Sequence, residues 1–160
     1  MMEELRELYQ EVILDHGKHP RNFRQPSNAN REAHGHNPMC GDTLTVFLAV
    51  DEAGNIQDAA FQGRGCAISM ASASMMTEIL IGKTAAEAKT LFDGFTAMCT
   101  KDGSNMSGDS DIDPDAVERL QVLAGVREFP VRVKCATLAW HTMNTAFTNP
   151  EDGDNSITTE

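Results

Sequence analysis

The alternating run TLTVFLAV (residues 43–50), the turn DEAGN and the β-rich stretch at residues 56–63 are the strongest constraint on this chain. Two such runs joined by a short Gly/Asn/Asp turn read as an antiparallel hairpin, because side chains of period two give each strand one apolar face. A hairpin alone is barely stable in water, so its apolar face has to be covered. Around it the pattern changes period. Leu5, Leu8, Tyr9, Val12 and Ile13 fall on one helical face that Gly17 and Pro20 bring to an end. Residues 20–40 read as loop, with a short strand near residues 33–36. Ile68, Ala71, Met75, Ile79 and Leu80 mark a helix that stops at Gly82. Thr84 and Glu87 form a capping box opening a helix to about Met98.

Residues 99–112 are a polar Gly/Ser/Asp loop. Asp113 as N-cap and Pro114 at the first helical position open a short helix through Ala124. After Phe129-Pro130, the residues Cys135, Leu138, Ala139, Met143, Ala146 and Phe147 recur at helical spacing. The expected fold is α+β: a small antiparallel three-stranded β-sheet with helices packed mainly on one face. Residues 1–148 form one domain, in which residues 92–113 are a polar insertion, and residues 149–160 an acidic flexible tail.

Charge narrows the function. With 24 acidic and 13 basic side chains the formal net charge is −11, which argues against nucleic acid and against an anionic membrane surface as partner. A partner with a basic patch fits better. No apolar run reaches bilayer length, and the acidic, amphipathic start has no signal-peptide plan, so a cytoplasmic protein is expected. In that reducing compartment the four cysteines are thiols rather than disulfides.

Three of the cysteines sit at junctions. Cys40 leads from a proline turn into a strand, Cys66 immediately precedes a helix, and Cys135 lies at or near the first turn of another. Helix N-termini favour thiolate over thiol, and Arg64, Arg132 and Lys134 add positive charge nearby. Spacing alone does not make a metal site. There is no C-x-x-C pair, and the three candidates are separated by 26 and 69 residues. Taken singly, each cysteine is as well explained as a small buried apolar residue. Asp42, after Gly at a strand start, reads first as a turn residue; as a metal ligand it would add one hard oxygen to soft sulfurs, a mixture zinc accepts. His34 and His36 lie two apart, just upstream of Cys40, where a surface role is the simpler one. His16 and His19 flank a helix stop and suit its dipole, and His141 reads as structural. No nucleophile elbow or phosphate loop is present.

Together the segments NPMCGD, GRGCAISMASASMM and VRVKCATLAW, in this order, resemble the U-type iron–sulfur assembly proteins, IscU and more closely the SufU branch. The resemblance runs from LYQEVILDHGKHPRN to the last helix. IscU-type scaffolds carry a His before their third cysteine, where this chain has Lys134, and they lack the extra polar segment; both departures match SufU. The resemblance implies a Zn²⁺ site formed by Cys40, Asp42, Cys66 and Cys135, with Cys99 outside it. It further implies a SufS-type pyridoxal-phosphate cysteine desulfurase as partner, downstream Suf assembly proteins, and a zinc-dependent sulfurtransferase in which Cys40 accepts persulfide sulfur.

Three thiolates and one carboxylate exceed the charge of the ion by two, so Arg64, Arg132 and Lys134 would balance the site. Asp42, as the only oxygen donor, is the ligand expected to yield. Two alternatives stay open: a scaffold assembling a [2Fe–2S] cluster on the same cysteines, and a non-catalytic interaction module stabilised by zinc.

Overall fold

The computed structural model describes residues 2–38, 41–100, 114–128, 130–148 and 156–158. Helix α1 (Met2–Lys18) stops just ahead of Pro20, whose ring cannot continue a helix. Three antiparallel strands follow: β1 (Arg31–Asn37), β2 (Asp42–Val50) and β3 (Ile56–Arg64). The hairpin expected between β2 and β3 is present, with Val46 opposite Phe61 and Leu48 opposite Ala59. These four residues and Ala33 of β1 are buried on the face that the helices cover.

A short fourth strand, β4 (Ser156–Thr158), lies parallel to β1, giving the order β3-β2-β1-β4. Three residues of the span expected to be a flexible tail therefore extend the sheet. The rest of that tail, residues 149–155 and 159–160, lies outside the described residues.

Helices α2 (Ala67–Leu80) and α3 (Ala85–Thr100) are joined by the turn at Gly82 and the capping box. In that box Glu87 N–H donates to Thr84 Oγ1 at 3.1 Å, and Thr84 N–H donates to Glu87 Oε1 at 3.1 Å. Helix α3 outlasts the sequence expectation. Residues 92–100, read as the start of a polar insertion, belong to it and bury Phe92, Phe95, Met98 and Cys99. Residues 101–113, with most of the expected loop and the Asp113 cap, lie outside the described residues. Pro114 opens α4 (Pro114–Leu120) as expected, but the α-helix ends four residues before Ala124 and tightens into a 3₁₀ segment, Gln121–Glu128. Helix α5 (Pro130–Thr148) completes the layer.

The helix α2 sequence AISMASASMMTEIL alternates small and large residues, so neighbouring elements can approach closely from several sides; ten of its fourteen residues are buried. Trp140 of α5 is the largest fully buried side chain. Its ring stacks on Phe95 with centroids 4.9 Å apart, and its indole N–H donates to Ser72 Oγ of α2 at 3.2 Å. Each large apolar side chain buried in this way contributes about 1.5–3 kcal/mol.

His16 departs from its expected role at the helix dipole. It faces inward at 9% exposure, with Nδ1 2.7 Å from Ser74 Oγ, and burial, then the Arg21 charge, lowers its pKa. Its contact with Ser74 ties α1 to α2. Among the described residues, no helix is long and apolar enough to cross a membrane.

Candidate metal centre

Strand pairing builds one wall of the site. In the β1–β2 register Asn37, the last residue of β1, lies opposite Asp42, the first of β2, and both are fully buried. Cys40 belongs to the connection between them and lies outside the described residues, as does Met39.

The second wall comes from β3. At its end Gly63 has φ +142°, and a Cβ there would come within 2.1 Å of the Thr43 carbonyl oxygen. Only glycine lets the two strands close so tightly at this point. The chain then turns through Gly65 to Cys66, the N-cap of α2, in extended conformation. Cys66 N–H donates to Asp42 Oδ1 at 2.9 Å. A Cβ on Gly65 would lie 2.7 Å from that same oxygen and 3.2 Å from the Ser69 Cβ, so the carboxylate occupies the space a side chain would need.

The third wall is α5. Cys135 is fully buried, and Asn37 donates a side-chain N–H to its Sγ at 3.7 Å. The sequence expectation placed Cys135 near the first turn. Because α5 begins at Pro130, Cys135 is its sixth residue, beyond the orphan N–H groups of the helix start. Thiolate support reaches it from a side chain instead. The exposed guanidinium of Arg132, three residues earlier, hydrogen-bonds to Cys66 and Cys135, and attraction to Cys66 foremost, then Cys135, raises its pKa.

Asp42, Cys66 and Cys135 thus converge, with one ligand atom from each lying within 4.8 Å of the others. The Asp42 carboxylate is the diagnostic member. Its Oδ1 is occupied by Cys66 N–H, while its buried Oδ2 has no hydrogen-bond partner among the described residues. Leaving a buried acceptor unsatisfied costs about 1–3 kcal/mol, and more when it is charged. A cation at this point removes that cost. Two sulfurs and one carboxylate oxygen suit Zn²⁺ or an iron centre, and one further donor would complete a tetrahedron.

The other sequence candidates separate cleanly. Cys99 is buried in the helical core and takes no part. His34 and His36 are exposed on the outward face of β1; His34 contacts Thr45 Oγ1 at 2.9 Å and Glu32 at 3.2 Å. Arg64 is exposed at the end of β3, and Lys134 is half-buried next to Cys135 in the chain. Half-buried His141 sets its ring edge-on to Phe92, 5.2 Å between centroids, and partial burial lowers its pKa. Sequence reasoning missed Asn37 and Gly65. The motif NPMCGD contained the first, and the alternation Ala33, Gly35, Asn37 pointed it inward with the buried face.

The family model for the NifU-like N terminal domain matches residues 8–136. The chain is 40% identical over 148 residues to a Bacillus subtilis protein named zinc-dependent sulfurtransferase SufU, covering 92% of this chain and 94% of that one. It is 38% identical over 145 residues to a Streptococcus pyogenes protein named iron–sulfur cluster assembly scaffold protein IscU, covering 91% and 86%. Among solved structures, it resembles a putative iron–sulfur cluster assembly scaffold protein for the SUF system from Fervidobacterium islandicum, with TM-score 0.72 and 33% identity over 85% of this chain and 93% of that one.

Proposed function

This chain belongs to the NifU-like N-terminal domain family of iron–sulfur cluster assembly proteins, and we propose that it works there as a zinc-dependent sulfurtransferase. It takes persulfide sulfur from a SufS-type cysteine desulfurase, in the cytoplasm. The observation that carries this reading is the convergence of Asp42, Cys66 and Cys135 around a carboxylate oxygen that has no hydrogen-bond partner among the described residues. Cys40, two residues before Asp42 in the same connection, supplies the further sulfur and is the acceptor. Zinc, when bound, holds thiolates without oxidising them.

The chain's own residues do the rest. Cys66 and Cys135 are fixed on helices α2 and α5, and Asp42 is held by Cys66 N–H. Arg132 offsets part of the excess negative charge, with Arg64 and Lys134 adding to the positive surroundings. In the transfer the Cys40 thiolate attacks the terminal sulfur of the desulfurase persulfide. The S–S bond of the enzyme breaks, a new S–S bond forms on Cys40, and the enzyme's cysteine leaves as thiolate.

The test is desulfurase turnover with this protein zinc-loaded, chelated, or carrying Cys40→Ala. Stimulation by the zinc-loaded protein alone is expected. Equal stimulation by Cys40→Ala would sink the mechanism. A second reading, a scaffold for a [2Fe–2S] cluster, draws support from the same donor set and from the name of the Streptococcus relative. Lys134, where such scaffolds carry a His, favours the first. Anaerobic reconstitution with iron and sulfide separates the two: a stable visible chromophore on Cys66 and Cys135 would favour the scaffold.

A further inference from the structure

We propose that Asn37 is a positioning residue of the metal centre, whose side-chain amide holds the Cys135 sulfur by an N–H···S hydrogen bond and draws off part of its thiolate charge. The inference rests on the metal-site reading above and adds to it a residue outside the ligand set.

Three observations carry it. Asn37 is fully buried, and its Nδ2 lies 3.7 Å from Cys135 Sγ. It stands opposite Asp42 in the strand register, so one rung of the sheet presents a carboxylate ligand and an amide donor side by side. It also joins β1 to α5 across 98 residues of sequence, and so fixes the sulfur relative to the sheet that carries Asp42.

The chemistry explains why an amide suits this place. Three thiolates and a carboxylate bring four negative charges to a dication, so the centre gains from donors that spread the surplus. Arg132 supplies a full charge, but from the exposed side, where water screens it. Asn37 supplies only a dipole, from the interior, where the low dielectric makes a hydrogen bond stronger and brings in no further ion to desolvate. Outer partners that orient a ligand in this way typically change metal affinity by about 10–100-fold when removed.

The decisive measurement needs no substitution. In protein loaded with ¹¹³Cd, a scalar coupling between the metal nucleus and an Asn37 side-chain amide proton reports the N–H···S–Cd path directly, and it is expected. Asn37→Leu, close in size but without a donor, and Asn37→Asp, of the same shape without the N–H, are then loaded with Co²⁺. The sulfur-to-cobalt charge-transfer band is expected to move to lower energy, as an undamped thiolate gives up charge more readily. Cobalt affinity by chelator competition is expected to fall about tenfold or more. A merely structural asparagine would lower thermal stability and leave band and coupling unaffected. Absence of the coupling, or an unmoved band in a folded variant, overturns the proposal. If a variant does not fold, the coupling in the unaltered protein decides. A protein that takes up no zinc, cadmium or cobalt sinks the metal site itself, a distinguishable failure.

Discussion

Strand β2 begins with Asp42 and is followed by Asp51, and the two aspartates share little but residue type. Asp51 is exposed and saturated by its own neighbours. Its carboxylate accepts from the backbone N–H of Ala53 and Asn55, at 3.0 and 2.9 Å, and from the side chains of Asn55 and Gln57. Asp42 is buried; among the described residues it takes one hydrogen bond from Cys66, 24 residues away, and its other oxygen has no partner. A turn carboxylate completes itself locally, because Asx geometry places donors two to six residues ahead of it. A carboxylate left incomplete in the interior is waiting for something that the described chain does not supply.

The sharpest way to break this contrast is to remove each aspartate and read both stability and metal. Asp42→Ala removes a ligand, so zinc affinity is expected to fall by at least the roughly 100-fold that marks the upper end for supporting groups. The metal-free protein should hold its thermal stability, since losing the bond to Cys66 is offset by relief of the orphaned buried charge. Chelator competition and melting of the apoprotein check the pair. A metal affinity unchanged in Asp42→Ala would erase the distinction between the two carboxylates.

Gly65→Ala tests the same carboxylate without replacing it. The new Cβ would sit 2.7 Å from Asp42 Oδ1, so the carboxylate has to move. An affinity loss of about tenfold in a folded protein is expected.

The cysteines offer a parallel contrast. Cys99→Ala empties a corner of the core at the end of α3. It is expected to cost about 1 kcal/mol in denaturant unfolding, the usual size of a point-mutant effect, with zinc stoichiometry unchanged. Cys66→Ala should do the reverse.

The smallest effect expected is in acid. Hydrogen bonds to Asp51, that from Asn55 N–H foremost, hold its pKa below the ordinary value of 3.8. Its contribution is therefore complete above that value and is lost as pH falls through the lowered one. Asp51→Asn should flatten the stability profile in that window and leave metal affinity alone.

The sequence was most legible where structure is local. The capping box at Thr84 and Glu87, the Pro114 helix start and the 51–55 turn all came from residues within a few positions of one another, and all stand as read. The three junction cysteines were also visible, and two of them meet in the described structure. The misjudged places depend on what lies across the fold. Residues 92–100 read as the start of a polar insertion, yet they continue α3, where Phe92, Phe95 and Met98 bury their side chains and Phe95 lies under Trp140. His16 looked like a helix-end cation until α2 covered it. Cys135 looked like a helix-start thiol until α5 proved to begin five residues earlier.

By itself the chain determined the β2–β3 hairpin, the helix starts at the capping box and at Pro114, and the presence of three breaker-flanked thiols, because periodicity and capping act over one or two turns. Its motifs also pointed to the family. Tertiary structure alone decided which oxygen of Asp42 stays open, that Arg132 rather than a helix end faces both sulfurs, and that Asn37 reaches Cys135. The Asp42–Cys66 and Asn37–Cys135 contacts span 24 and 98 residues. They are fixed by the register of β1 on β2 and by the seating of α5 across the sheet, which no local pattern encodes.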